Sequence, residues 1–221
     1  MIALEGVSKF YRVSAGLRVV LDEVWARFQS GHNFGILGAN GSGKSTLVRL
    51  LAGSEKPDRG TIRRDVRVSF PLGYGGTFHG ALSGRENVSF LARVYGADRR
   101  AVTTYVEAFS ELGEYFEMPV NTYSAGMRAR LAFAICLAID FDLYLIDEVT
   151  EIGDEHFRRK CAAAFRERMR RSDIILVSHN PQTIRQYCDR GAILADGELR
   201  LYDDIGEALA RYHRMSAEAQ E

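Results

Sequence analysis

Apolar and polar residues alternate at the start of the chain, at Ile2, Leu4 and Val7 and again over 19–28. A period of two predicts strands, here joined by a turn near 14–16. Residues 34–37 form a short continuous apolar run that ends at Gly38, the pattern of a buried strand entering a loop. Leu47, Val48, Leu50 and Leu51 switch to helical spacing, and Gly53 stops it. Val66, Val68 and Phe70 alternate and predict a further strand. A glycine-rich, uncharged connection follows as far as Gly84.

Ser83-Gly84-Arg85-Glu86 has the form of a capping box and opens a helical stretch to about residue 131, divided at Met118-Pro119. Strand and helix then alternate: a strand at 143–146, a helix near 156–170, strands at 174–177, 192–194 and 199–202, and a last helix over 205–213. Strands on both sides of a helical insert predict an α/β core interrupted by a helical subdomain. The boundaries expected are a core of 1–78 and 132–215, a connecting loop and helical subdomain of 79–131, and a polar tail of 216–221.

Composition narrows the classes. Twenty-nine Lys and Arg balance 29 Asp and Glu over 221 residues. That balance excludes a bulk binder of nucleic acid or anionic lipid, which shows a basic excess. Three widely spaced cysteines, Cys136, Cys161 and Cys188, read as reduced thiols rather than a disulfide framework. The longest strongly apolar run, 131–139, falls far short of the roughly 20 residues a membrane helix needs. The opening MIALEGVSKFYR carries Glu5 and has no apolar signal region.

Two motifs carry chemistry. Gly38-Ala39-Asn40-Gly41-Ser42-Gly43-Lys44-Ser45-Thr46 matches the phosphate-loop pattern and lies between an expected strand and an expected helix. The glycines let backbone N–H groups wrap phosphate oxygens, and the helix N-terminus favours the anion. Lys44 would reach the β- and γ-phosphates and Ser45 would ligate Mg²⁺. Second, Asp142-Leu143-Tyr144-Leu145-Ile146-Asp147-Glu148 is an apolar run ending in two acids. Asp147 would hold the Mg²⁺ shell through water, and Glu148 would polarise the attacking water. Buried strands often end in solvated acids, so the second motif gains weight only from the first.

Further residues bring a family into view. Tyr123-Ser124-Ala125-Gly126-Met127 lies 21 positions before the second motif, counted from Gly126 to Asp147. Ser178-His179 follows another apolar strand, and Asp154 lies six residues after Glu148. Together these resemble the signature, switch histidine and D-loop of ATP-binding cassette (ABC) ATPases. The common signature is LSGGQ, of which this chain keeps the Ser and the second Gly. Tyr11 matches the aromatic that stacks on adenine. GALSGREN (80–87), TYSAGMRARLAFA (122–134) and DEVTEIGDEHFRRKC (147–161) are similar to the ATPase subunits of bacterial capsular polysaccharide exporters. O-antigen and teichoic-acid exporter ATPases resemble it nearly as well. The 221 residues are expected to hold no extra carbohydrate-binding domain of the kind many O-antigen members carry.

The resemblance implies a P-loop NTPase core, a RecA-like mixed sheet flanked by helices, with an N-terminal antiparallel β-subdomain and an inserted helical subdomain. It implies ATP and Mg²⁺ as ligands. Tyr11, Gly38, Asn40, Gly41, Ser42, Gly43, Lys44, Ser45, Thr46, Ser124, Gly126 and Asp154 would contact the nucleotide. Ser45, Asp147 and His79 would serve the metal, and Glu148 and His179 the catalysis. It also implies a homodimer with ATP at its interface, each Ser124 capping the γ-phosphate held by the other copy. Further partners are a transmembrane permease subunit in two copies, periplasmic and outer-membrane export components, and a polysaccharide met only indirectly. The place implied is the cytoplasmic face of the bacterial inner membrane.

Several readings compete. ABC ATPases usually carry a Gln where register places His79, and none occurs from 70 to 86. Neutral imidazole suits a ligand or hydrogen-bond role, and an ordinary loop histidine is the other reading. The basic stretch around Arg158, Arg159 and Lys160, with Arg166, Arg168, Arg170 and Arg171, reads as a solvated helix face rather than a nucleic-acid or lipid patch. Phe109, Leu112, Tyr115 and Phe116 read as packing within the helical subdomain. Apolar residues near 73–82 would receive a cytoplasmic helix of the permease. A soluble ABC ATPase acting on DNA or ribosomes is the runner-up, but only 85 residues separate Gly38 from Tyr123, too few for a long coiled coil. A regulatory module without turnover is disfavoured by intact Lys44, Asp147, Glu148 and His179.

Overall fold

The computed structural model describes residues 1–14, 16–72, 78–147, 155–178 and 180–218. Glu148, Asp154, His179 and much of the glycine-rich connection lie outside the described residues. The chain forms two compact units, one of Met1–Pro71, Asp142–Glu148 and Ser172–Glu221 and one of Leu72–Phe141 and Val149–Arg171.

The first unit holds two sheets. Strands β1 (Ile2–Val13), β2 (Gly16–Phe28) and β4 (Arg59–Arg64) form an antiparallel sheet in the order β2-β1-β4. Strands β3 (Phe34–Leu37), β5 (Leu143–Asp147), β6 (Asp173–Val177), β7 (Arg190–Ala195) and β8 (Glu198–Tyr202) form the second, in the order β5-β6-β3-β7-β8. Its strands are parallel except for the β7–β8 pair. This is the mixed α/β architecture expected. β3 is apolar and buried at all four positions, as a central parallel strand must be. Helix α1 (Lys44–Ala52) contributes Leu47, Val48, Leu50 and Leu51 to the core shared by both sheets. Helices α6 (Pro181–Tyr187) and α7 (Ile205–Glu218) complete this unit.

Two strand expectations need correcting. Residues 66–70 make only a bridge from Val68 to Leu143. Around it Ser69 N donates to Leu143 O at 2.9 Å and Leu143 N to Arg67 O at 3.2 Å. Side chains extend the pairing: Leu145 N donates to Ser69 Oγ at 2.9 Å and Arg67 N to Asp142 Oδ2 at 2.7 Å. Strand β4 lay hidden because Arg59-Gly60-Thr61-Ile62-Arg63-Arg64 has one apolar residue. It is an edge strand, where charged side chains are favoured.

The second unit is helical: α2 (Gly84–Val94), α3 (Arg99–Ser110), 3₁₀ turns at Gly113–Glu117 and Val120–Thr122, α4 (Ala125–Ala138) and α5 (Glu155–Arg168). The capping box is present, with Glu86 N donating to Ser83 Oγ at 3.2 Å and Ser83 N to Glu86 Oε2 at 2.8 Å. The expected single break at Met118-Pro119 is joined by others. Gly96 takes φ 64 after α2, and Asp98 then caps α3 through the amides of Arg100 and Ala101. The expected boundary between 131 and 132 falls inside α4, whose apolar second half is buried rather than the start of the core. Helix α5 packs on it, with Arg130 4.2 Å over the Phe157 ring and Phe133 beside Phe165. Part of the basic stretch is therefore structural: Lys160 Nζ donates to Phe109 O at 2.9 Å, and Arg168 pairs with Asp140 and the Leu137 carbonyl. Phe109, Leu112 and Phe116 are buried as expected, but Tyr115 is exposed.

Asn87, 2% exposed, organises the loop before α2. Its Oδ1 accepts from His79 N at 2.8 Å, and its Nδ2 donates to the carbonyls of His79, Leu82 and Ser83. Asn87→Ala removes the acceptor of His79 N and one donor from each of three carbonyls that otherwise keep a single backbone partner. It is expected to destabilise the chain by about 1–3 kcal/mol. An unchanged thermal unfolding midpoint would contradict that role.

Candidate nucleotide site

The site is built on the turn from β3 into α1. A Cβ on Gly38 would lie 2.5 Å from Leu194 O and 2.6 Å from Ser42 Oγ, so only glycine lets the loop leave the sheet edge here. Gly43 has φ 106, and a Cβ there would collide with Val20 Cγ1 on β2. A side chain is thus barred both by backbone conformation and by space. Gly43 is the N-cap of α1, with no side-chain cap and no acidic residue in the first turn. Among the described residues no side chain caps the first amides of the helix, which suits an anion, and its dipole favours one.

Lys44 is buried, and its Nζ donates to Gly38 O at 2.7 Å and Ala39 O at 2.9 Å. Burial pushes its pKa down, opposed by the charge of Asp147. A sheltered cation beside these helix amides suits a phosphate. Ser42 Oγ is buried without a hydrogen-bond partner among the described residues, a polar atom left over inside the loop.

The sheet order explains how Asp147 reaches this loop. Asp147 is in register with Val177 of β6, and Val177 with Ile36 of β3. Asp147 therefore ends its strand level with the end of β3, about 10 Å across two strand spacings. A cavity of about 440 Å³ opens between, lined by Asn40, Gly41, Gly43, Lys44, Ser45 and Thr46 of the loop and helix. Tyr11 and Asp147 close it from the other strands. Ser45 and Asp147 face the same cavity and are both hard oxygen donors. Mg²⁺ is usually held by one or two such groups plus phosphate oxygens and water, which this pair fits. No cluster of three or more His, Cys, Asp or Glu able to hold a metal occurs among the described residues, so an all-protein cage does not form there.

Four lining residues escape sequence reasoning, Val13, Arg18, Val20 and Val177, and two of them touch the loop. Arg18 on β2 reaches the loop, its Nη2 donating to Gly41 O. Val20 forms part of the wall and packs on Gly43. Neither belongs to a motif; only the β1–β2 hairpin places them.

The second unit carries the other expected groups. Ser124 caps α4, its Oγ accepting from Met127 N at 3.2 Å. Gly126 lies in the first turn, with no contact tighter than 3.8 Å for an added Cβ. Tyr123 beneath them is buried and donates its hydroxyl to Tyr115 O at 2.6 Å. His79 has an exposed side chain on a loop whose backbone Asn87 fixes.

Lys44→Ala removes the cation from the cavity and is expected to weaken ATP binding by at least about 30-fold, the usual scale for truncating a buried, hydrogen-bonded charge. Calorimetric titration with unchanged affinity would overturn the phosphate-loop assignment.

A family model described as ABC transporter matches residues 21–151. The capsule polysaccharide export ATP-binding protein CtrD of Neisseria meningitidis serogroup B is 44% identical over 97% of this chain and 100% of its own. The ATP-binding protein BexA of Haemophilus influenzae is 44% identical over 96% of this chain and 98% of its own. Among solved structures, a dimeric post-hydrolysis state of the ATP-binding cassette MJ0796 with ADP and Pi superposes with a TM-score of 0.73. It covers 91% of this chain and 97% of that one at 23% identity, a likeness of fold. With the phosphate loop, the second acidic strand and the helical insert already in place, the chain belongs to the ABC transporter family as an ABC-type ATPase.

Proposed function

We propose that this chain is the ATP-hydrolysing subunit that powers export of a capsular polysaccharide through a separate transmembrane subunit. The observation that carries the reading is 44% identity, end to end, with a capsule polysaccharide export ATP-binding protein, joined to a complete phosphate cavity. No helix among the described residues is long and apolar enough to cross a membrane. In this reading a separate transmembrane subunit supplies the path, and the ATPase sits on the cytoplasmic face of the inner membrane.

In this reading the first amides of α1 and Lys44 hold the phosphates of ATP, with Gly38, Asn40, Gly41, Ser42, Gly43 and Thr46 shaping the loop around them. Ser45 and Asp147 would hold Mg²⁺, which would supply charge neutralisation at the phosphates. His79 stands in the place of the usual Gln. Glu148 accepts a proton from water as the water oxygen attacks the γ-phosphorus. The bond to the β–γ bridging oxygen breaks, and ADP and phosphate result. His179 orients the water. Ser124 and Gly126, at the capped start of α4, complete the site of a second copy, and Asp154 lines that junction. Closure of two copies on ATP and opening after hydrolysis is the mechanical stroke.

Glu148→Gln is expected to bind ATP, dimerise and lose at least about 100-fold in turnover, the lower end of the range for general-base loss. Turnover at the wild-type rate in a phosphate-release assay would remove Glu148 from its role. His79→Ala should raise the Mg²⁺ concentration for half-maximal turnover several-fold; an unchanged requirement leaves it a loop residue. Expression of the wild-type chain should restore surface polysaccharide in a strain lacking its own capsule-export ATPase, whereas Glu148→Gln should not. A wild-type chain that hydrolyses ATP yet restores nothing would separate the ATPase reading from the export reading.

A further inference from the structure

Tyr11 lines the cavity, but its hydroxyl is taken up on the other side by α1 and the turn after it. The hydroxyl donates to Glu55 Oε1 at 2.6 Å, and Arg49 Nη2 donates to the hydroxyl at 3.2 Å. Arg49 also binds Glu55 Oε2 through Nε at 2.9 Å and Thr46 Oγ1 through Nη2 at 3.0 Å. Lys9 Nζ stands 3.1 Å from Glu55 Oε1 and 5.3 Å from the centre of the Tyr11 ring. All three charged side chains are sheltered, at 11%, 23% and 18% exposure for Lys9, Arg49 and Glu55. Burial alone would raise the Glu55 pKa. Hydrogen bonds from Tyr11, Arg49 and Lys9 nevertheless hold it below its ordinary value, so the carboxylate is charged and fixed.

None of these contacts is needed to end α1. That is done by Gly53 at φ 77, whose N–H returns to the carbonyls of Arg49 and Leu50. Glu55 lies beyond this cap and turns back to the tyrosine. A tyrosine side chain otherwise exchanges among staggered χ1 rotamers that swing the ring and its hydroxyl through space. Bonds at the hydroxyl hold one of them, whereas a platform free to swing loses that freedom when a base stacks on it.

We infer that Glu55, with Arg49 and Lys9, is a positioning residue that clamps Tyr11 as the platform for the nucleotide base and ties that platform to α1, the helix that receives the phosphates. The inference rests on reading Tyr11 as the base platform. Arg49 and Thr46 lie on α1 itself, three residues apart, so one helix carries the anion end and the brace for the base end.

The test compares ATP with tripolyphosphate, which offers the phosphates without a base, by calorimetric titration of the full chain with Mg²⁺. Wild type should favour ATP, and Tyr11→Ala should erase that preference, about ten- to a hundredfold on the usual worth of base–aromatic stacking. Tyr11→Phe keeps the ring and removes the tether; it and Glu55→Ala should each weaken ATP about three- to tenfold. Tripolyphosphate affinity should stay within about twofold, and the double variant should lose no more than the worse single one, as for groups acting through each other. Equal weakening of both ligands would show a merely structural defect and overturn the clamp. ATP preference intact in both single variants would overturn it too. A wild type without preference for ATP would instead remove Tyr11 as a base platform, and the clamp with it.

Discussion

Everything at the nucleotide site depends on a backbone that passes where no side chain fits. At Gly43 the chain takes φ 106 against Val20, and at Gly38 it runs beside the Leu194 carbonyl. The first contact comes from the antiparallel sheet and the second from β7. The loop is therefore not a free glycine-rich turn. Two sheets hold it from opposite sides, and the helix that starts from it is buried in the core they share. Rigidity of this kind lets helix amides act on an anion without reorganising first.

The same arrangement explains why acid and cation coexist in one cavity. Strand order separates Asp147 from β3 by one strand, and its charge is felt at Lys44, whose ammonium is bonded instead to the carbonyls of Gly38 and Ala39. Each group is left to meet a ligand: the lysine an anion, the carboxylate a cation. Had β5 been the immediate neighbour of β3, the two would be poised to neutralise each other.

Local signals made much of this legible in the sequence. The strand-loop-helix at 34–52, the apolar strand ending at Asp147 and the capping box at Ser83 each announce themselves within twenty residues or fewer, because their physics is local. What stayed hidden is non-local or polar. β4 has a single apolar residue and exists because β1 offers it an edge. Residues 66–70 look like a strand, yet only part of their pairing is backbone to backbone; Ser69 Oγ and the Asp142 carboxylate supply the rest. The unit boundary was placed inside α4 because an apolar run reads alike in a core strand and in a buried helix. Tyr11 was legible as a site residue, but Glu55, 44 positions away, was not. The hairpin that brings Arg18 to Gly41 leaves no motif at all.

Lys44 offers a last consequence. Its ammonium is held by the carbonyls of Gly38 and Ala39, inside the very loop that would cradle a phosphate. Those carbonyls and a phosphate would draw on the same ammonium protons. Phosphate affinity at this lysine is therefore a difference between two sets of bonds, and the loop that attracts the anion also tempers how tightly it is held.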